Sequence, residues 1–161
     1  MPTSKGYPSV GWIGAGRMGF EMAARLAKGG TDVLVWNRTR EKAEPLEKYG
    51  AKIADKLPEL ASREVVFVMV STWKDVKEVV TKLLSGKAKP KMLIECSSIS
   101  LEGSAELRAL LDKKGIQYLA APVSGNAKVI KAGRLTFVCS GPKKAYEEAK
   151  PYLDAMGAGS S

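Results

Sequence analysis

The most constraining feature of this 161-residue chain is a glycine cluster, Gly14-Ala-Gly16-Arg-Met-Gly19, set between two patterned segments. Before it stands a short apolar run, Val10-Gly-Trp-Ile13. After it, Met18, Met22 and Leu26 recur at helical spacing until Gly29-Gly30. A GxGxxG run that closes a strand and opens a helix serves three purposes at once. The first glycine turns the chain tightly, the second lets backbone approach a pyrophosphate, and the third lets the helix pack closely on the strand. The helix N-terminus then offers unpaired N–H groups and a partial positive charge to phosphates. The cluster thus predicts a dinucleotide site and, with it, an α/β fold.

The rest of the chain agrees with that fold. Strands are predicted over 10–13, 33–36, 51–54, 65–70, 92–94, 116–119 and 135–139, and helices over 17–28, 40–48, 73–85, 101–114 and 143–155. Val33-Leu-Val-Trp36 and Val65-Val-Phe-Val-Met-Val70 are almost wholly apolar, as in strands buried on both faces. Strands alternating with helices indicate repeated βαβ units. The expectation is a Rossmann-type, doubly wound, mainly parallel sheet with helices on both faces. Residues 1–8 read as a loose arm, 9–157 as the folded domain and 158–161 as a tail. The proline- and glycine-containing stretch 120–127 reads as a shaped loop.

Composition excludes several chemistries. No histidine is present, so imidazole acid–base work and HExxH zinc sites are ruled out. The two cysteines, Cys96 and Cys139, cannot make a four-cysteine metal site. They read as small buried thiols in a reducing, cytoplasmic setting. No apolar run approaches the roughly 20 residues of a membrane span. The net charge of +9 raises nucleic acid as a partner, but no nucleic-acid-binding motif accompanies it, and acidic residues are interspersed with the lysines as on solvated helix faces.

The end of the second strand addresses cofactor choice. NAD sites place a carboxylate there for the ribose hydroxyls. Here stands Asn37-Arg-Thr-Arg40, in which Arg38 and Arg40 suit a 2′-phosphate and Thr39 can hydrogen-bond it. NADP(H) is therefore expected over NAD(H). At the ends of the fourth and fifth strands, Val70, Ser71 and Ser98 fall on the sheet edge where α/β proteins bind ligands. Ser98 or Ser100 can equally cap the next helix.

Three stretches together carry a family resemblance: Gly11-Trp-Ile-Gly-Ala-Gly-Arg-Met-Gly19, Trp36-Asn-Arg-Thr39, and Ala121-Pro-Val-Ser-Gly125 with Gly133-Arg-Leu-Thr136. In this order they resemble the β-hydroxyacid dehydrogenases, which include 3-hydroxyisobutyrate dehydrogenases, glyoxylate and succinic semialdehyde reductases and 6-phosphogluconate dehydrogenases. The resemblance implies that Gly14, Ala15, Gly16, Arg17, Met18 and Gly19 form the pyrophosphate site. Asn37, Arg38 and Thr39 would hold the 2′-phosphate, Val70 and Ser71 would flank the cofactor, and Ser98 would lie near the nicotinamide. Ser124, Gly125 and Asn126 would bind a substrate carboxylate. Four positions depart from the family pattern: Ala120 replaces an aspartate, Asn126 a glycine, Glu95 an aspartate and Ser98 a threonine.

The resemblance further implies a small hydroxyacid or aldehyde substrate, and a helical second domain that supplies the catalytic lysine and most of a dimer interface. No residue of this chain is expected to be catalytic. The chain reads as the NADP(H)-binding half of such an enzyme, in a homodimer or with a partner that supplies the helical domain. The alternatives are a non-catalytic NADP-binding or assembly module and the N-terminal half of an imine reductase.

Overall fold

The structure is a computed structural model that describes residues 9–124 and 126–157, together with the backbone of 159–160. Six parallel strands form the main sheet: β1 (Val10–Ile13), β2 (Val33–Trp36), β3 (Lys52–Ile53), β4 (Val65–Val68), β5 (Met92–Glu95) and β6 (Gln117–Ala120). Their order is β3-β2-β1-β4-β5-β6, the doubly wound arrangement of a Rossmann fold. The chain runs outward from β1 to β3, then returns to the other side at β4. The crevice between the carboxyl ends of β1 and β4 is thus the switch point.

The apolar runs form strands because both faces are covered. β1 and β4 are buried at every position. One face packs on α1 (Arg17–Lys28) and α6 (Lys143–Met156), the other on α3 (Trp73–Leu83) and α4 (Leu101–Lys113). On the first face Trp12 stacks on Phe67 at 5.1 Å between ring centroids, and Phe67 meets Tyr152 edge-on at 6.1 Å. Such pairs add about 0.5–1.5 kcal/mol each beyond area burial. Cys96 is buried and Cys139 half-buried, both as free thiols. Among the described residues no helix is long and apolar enough to cross a membrane.

Four local expectations are corrected. The helix expected over 40–48 is α2 (Arg40–Ala43) followed by a 3-10 helix over Glu44–Tyr49; Pro45 has no N–H to donate into a continuous α-helix. The fourth strand ends at Val68, not Val70, because Met69 turns away after its N–H bonds the Ile13 carbonyl. A 3-10 helix over Leu57–Ser62, too short to show a helical period, packs Leu57, Leu60 and Ala61 inward. The stretch read as a loop after residue 120 contains β7 (Val123–Ser124), and α5 (Ala127–Lys131) follows it. β7 pairs antiparallel with β8 (Thr136–Phe137), and β8 pairs parallel with β9 (Gly159–Ser160), inside the stretch read as a tail. The arm at 1–8 lies outside the described residues.

Candidate dinucleotide site

The glycine turn is fixed by the backbone around it. Gly14 has φ +107°, and a Cβ there would stand 2.0 Å from the Met69 carbonyl oxygen. A Cβ on Gly19 would stand 2.2 Å from the Gly14 carbonyl oxygen. Both glycines are therefore required by the protein itself. The Gly14 carbonyl also accepts a hydrogen bond from the buried Trp12 Nε1–H at 2.8 Å, and the Gly14 N–H donates to the Trp36 carbonyl. Core, turn and helix start are thereby locked together.

Gly16 differs from both. A Cβ there would meet nothing within 4 Å. It caps α1 without a side-chain acceptor, and no acidic residue occupies the first turn of that helix. The chain thus presents exposed helix N–H groups at a position where only a ligand would contact an added side chain. That cradle fits a pyrophosphate.

The turn opens onto a cavity of about 460 Å³ at the switch point. Gly14, Gly16, Arg17, Met18 and Gly19 line one end, Trp36, Asn37, Arg38, Thr39 and Lys42 the second, and Met69, Val70, Ser71, Asp75 and Val79 the remaining wall. Most of the sequence-predicted cofactor residues therefore converge on one space. Ala15 lies beneath it, its N–H donating to Asn37 Oδ1 at 2.8 Å. The Asn37 Nδ2 group donates to the Thr39 carbonyl at 2.9 Å. Asn37 thus ties the glycine turn to the turn after β2 and serves as a brace.

The arginines separate. Arg38 lines the cavity, with Nη2 at 3.2 Å from Glu78 and 3.7 Å from Asp75 on α3. Arg40 points elsewhere: its guanidinium bonds Glu44, Asp55 and the Ala54 carbonyl. The expectation that Arg40 faces a 2′-phosphate is corrected, and Lys42, two residues further along the chain, lines the cavity in its place. Sequence reading missed Lys42 because the backbone turn after β2 decides which cations face inward.

The residues of the fifth and later strands do not join this cavity's lining. Ser98 is exposed at the carboxyl end of β5. Ser100, not Ser98, caps α4, its Oγ accepting from the Gly103 N–H at 3.0 Å. Ser124 and Asn126 are exposed, and Asn126 Oδ1 caps α5 through the Val129 N–H at 2.9 Å. Gly125 lies outside the described residues.

Behind the cavity wall is a group that the sequence marked only as a departure from a motif. Glu95 ends β5 with its side chain 1% exposed. Burial pushes its carboxyl up to about 7, against the opposing pull of hydrogen bonds from Ser97. The Ser97 N–H donates to Glu95 Oε2 at 2.8 Å, and Ser97 Oγ accepts the Val70 N–H at 2.8 Å.

Comparison with known proteins agrees with this architecture. Residues 9–161 match the NAD binding domain of 6-phosphogluconate dehydrogenase. The chain is 35% identical over 156 residues to the chloroplastic glyoxylate/succinic semialdehyde reductase 2 of Arabidopsis thaliana, covering 94% of this chain and 44% of that protein. It superposes on the 3-hydroxyisobutyrate dehydrogenase of Mycobacterium tuberculosis, solved with L-serine, with TM-score 0.90 and 29% identity over 96% of this chain and 53% of that one. An imine reductase of Myxococcus stipitatus in complex with NADP+ follows at TM-score 0.84 and 28% identity, covering 96% of this chain and 54% of that one. The chain thus spans about half the length of these relatives. A Rossmann sheet, a glycine-rich turn at its switch point and a match over nearly every residue place this chain in the family of 6-phosphogluconate dehydrogenase NAD-binding domains, as a nicotinamide-dinucleotide-binding domain.

Proposed function

We propose that this chain is the NADP(H)-binding half of a β-hydroxyacid dehydrogenase-type oxidoreductase, passing hydride between the cofactor and a small hydroxyacid or the matching semialdehyde or glyoxylate-like carbonyl. The observation that carries this reading is the far end of the cavity. There Arg38, Thr39 and Lys42 gather, and the residue closing β2, where a ribose-binding carboxylate would stand, is the amide Asn37, already hydrogen-bonded at both ends. Two cations and a hydroxyl suit the extra phosphate of NADP(H).

When bound, the cofactor supplies the carbon that gives or takes the hydride. The chain's own residues bind and orient it. The exposed N–H groups at Gly16, Arg17 and Met18 receive the pyrophosphate. Arg38 exchanges its partners Glu78 and Asp75 for, or shares them with, the 2′-phosphate. Met69, Val70 and Ser71 wall the cleft toward β4, and Ser98 lies beside the reacting end. Ser124, Gly125 and Asn126 receive the substrate carboxylate; capping α5 engages Asn126 through Oδ1, so its Nδ2 donors serve this purpose. The proton that accompanies the hydride is assigned to the lysine of the family's helical domain, consistent with the absence of histidine from this chain.

Fluorescence titration with NADPH and NADH tests the reading. NADPH should bind at least about ten-fold more tightly, the worth of one to two charge-assisted hydrogen bonds. Equal affinities overturn the preference for the phosphorylated cofactor. No binding of either overturns the reading as a whole.

A further inference from the structure

The buried Glu95 has no use in the binding scheme above, and its position is costly. A carboxylate at 1% exposure needs compensation, and among the described residues no cation is paired with it. The strand alternation puts it on the face of Leu93 and Tyr118, covered by α3 and α4. The titratable group on that face is Tyr118 of β6, while Cys96, next in the chain, packs in the core of the opposite face; burial raises both further above neutral pH. Arg108 of α4 stacks on the Tyr118 ring at 5.1 Å. The other charges of those helices near this end, Asp75, Lys77, Glu78, Glu102 and Glu106, occupy exposed or half-buried positions, with Lys77 paired to Glu106.

What Glu95 does have is Ser97. The Ser97 N–H donates to its carboxylate, and the Ser97 Oγ accepts the N–H of Val70. Val70 lines the dinucleotide cavity. A line of hydrogen bonds therefore runs from the end of β5 to the cleft wall after β4. We propose that Glu95 is a positioning residue for the dinucleotide cleft: through Ser97 it fixes the Val70 backbone, and the cleft binds cofactor best when Glu95 is ionised. The reason lies in donor and acceptor count. The ionised carboxylate only accepts, so it holds the Ser97 N–H and leaves Ser97 Oγ to accept from Val70. A protonated carboxyl brings a donor of its own into the same cluster, which competes with Val70 for Ser97 Oγ. The inference rests on the dinucleotide-binding reading above.

The test is NADPH affinity between pH 5.5 and 8.5 for the wild type, Glu95→Gln and Ser97→Ala, with thermal melting of each. The wild type should lose affinity, by roughly five-fold for one hydrogen bond, as pH falls through the range in which Glu95 takes up its proton. Glu95→Gln, neutral at every pH but able to donate, should bind throughout as the wild type does at the acid end. Ser97→Ala should show the same loss and the same pH-independent affinity. Titration of the cofactor's own phosphate, near pH 6, is common to all three proteins and cancels in their ratio.

Stability should move the opposite way. The folded pKa of Glu95 stands above its unfolded value, so the stability that this group contributes is complete below about pH 4.5 and is lost as pH rises through about 7. Glu95→Gln should therefore melt higher than the wild type at pH 8, by an amount that vanishes toward pH 5. Weaker cofactor binding in a more stable protein is a result that damage to the fold cannot produce. If the wild type binds NADPH and both variants follow its pH profile in parallel, the relay is overturned. If the wild type binds neither NADPH nor NADH, the dinucleotide reading fails instead.

Discussion

The glycine turn after β1 and the stretch from β7 to β8 both carry recognisable motifs, yet they are built differently. Around Gly14 the motif residues are held by the rest of the domain. Trp12, Trp36, Met69 and Asn37 all bond or abut that turn, and the side chains that matter converge on one cavity. Between residues 123 and 137 the motif residues serve their own neighbourhood. Ser124 pairs across a two-residue ladder, Asn126 caps a five-residue helix, and both side chains face outward. Leu101 and Val138, the strongly exposed large hydrophobic residues among those described, lie on this later half of the chain. A site whose parts are mutually braced is preorganised before its ligand arrives. A site whose parts brace only themselves depends on what else comes to it.

This contrast predicts a steep gradient of mutational effects. The largest belongs to Gly19→Ala. Its new methyl meets backbone, the Gly14 carbonyl oxygen at 2.2 Å, which cannot swing aside as a side chain tip would. Helix α1 must move off β1, at a cost on the order of 3 kcal/mol or more, and NADPH affinity should fall below detection. A variant that melts within 2 °C of the wild type, on a scale of about 2–4 °C per kcal/mol for a domain of this size, would show that the turn is not braced as described.

Gly16→Ala separates the needs of the ligand from those of the fold. Nothing stands within 4 Å of the added Cβ, so chemical denaturation should leave stability within about 0.5 kcal/mol of the wild type. NADPH affinity should nonetheless fall by about ten-fold or more, because the methyl occupies the line of approach of the pyrophosphate. Unchanged affinity would move the phosphate site away from this helix start.

Arg38→Glu sharpens cofactor choice. Reversing this charge should cost NADPH roughly 10- to 100-fold, as expected for a lost charge-assisted contact plus repulsion, and should barely change NADH. Arg38→Glu also loses its contacts with Glu78 and Asp75, but those are exposed pairs worth about 0–1 kcal/mol. An equal loss for both cofactors would mean that Arg38 acts on something they share.

The same division explains what could be read in the chain before its structure. The doubly wound parallel sheet, the helices α1, α3, α4 and α6 and the glycine turn follow from long apolar periods and from glycine positions fixed by backbone contacts, which are local and repetitive signals. Arg40 was legible as a cation near the end of β2, but not that it turns away from the cavity while Lys42 lines it. That depends on Asp55 and the Ala54 carbonyl, 15 and 14 residues away, capturing Arg40. Glu95 was legible as a variant of a motif and not as a buried group, since only the packing of α3 and α4 over β5 removes it from water. The 3-10 helix at Leu57–Ser62 and the five-residue α5 are shorter than the windows in which a period can be recognised.

The smallest effect separates the two regions most cleanly. Asn126→Ala removes the acceptor that caps α5 at the Val129 N–H, and a lost N-cap costs about 1 kcal/mol. The variant should therefore melt a few degrees lower while binding NADPH with unchanged affinity, because none of the described residues from 123 to 137 lines the dinucleotide cavity. If NADPH binding weakens in proportion to the lost stability, the α5 neighbourhood and the glycine turn are one cooperative site. The route would then run through α1, whose Glu21 pairs with Lys131 of α5 at 3.6 Å, and Lys131→Ala, which breaks that pair and spares the cap, should reproduce the effect.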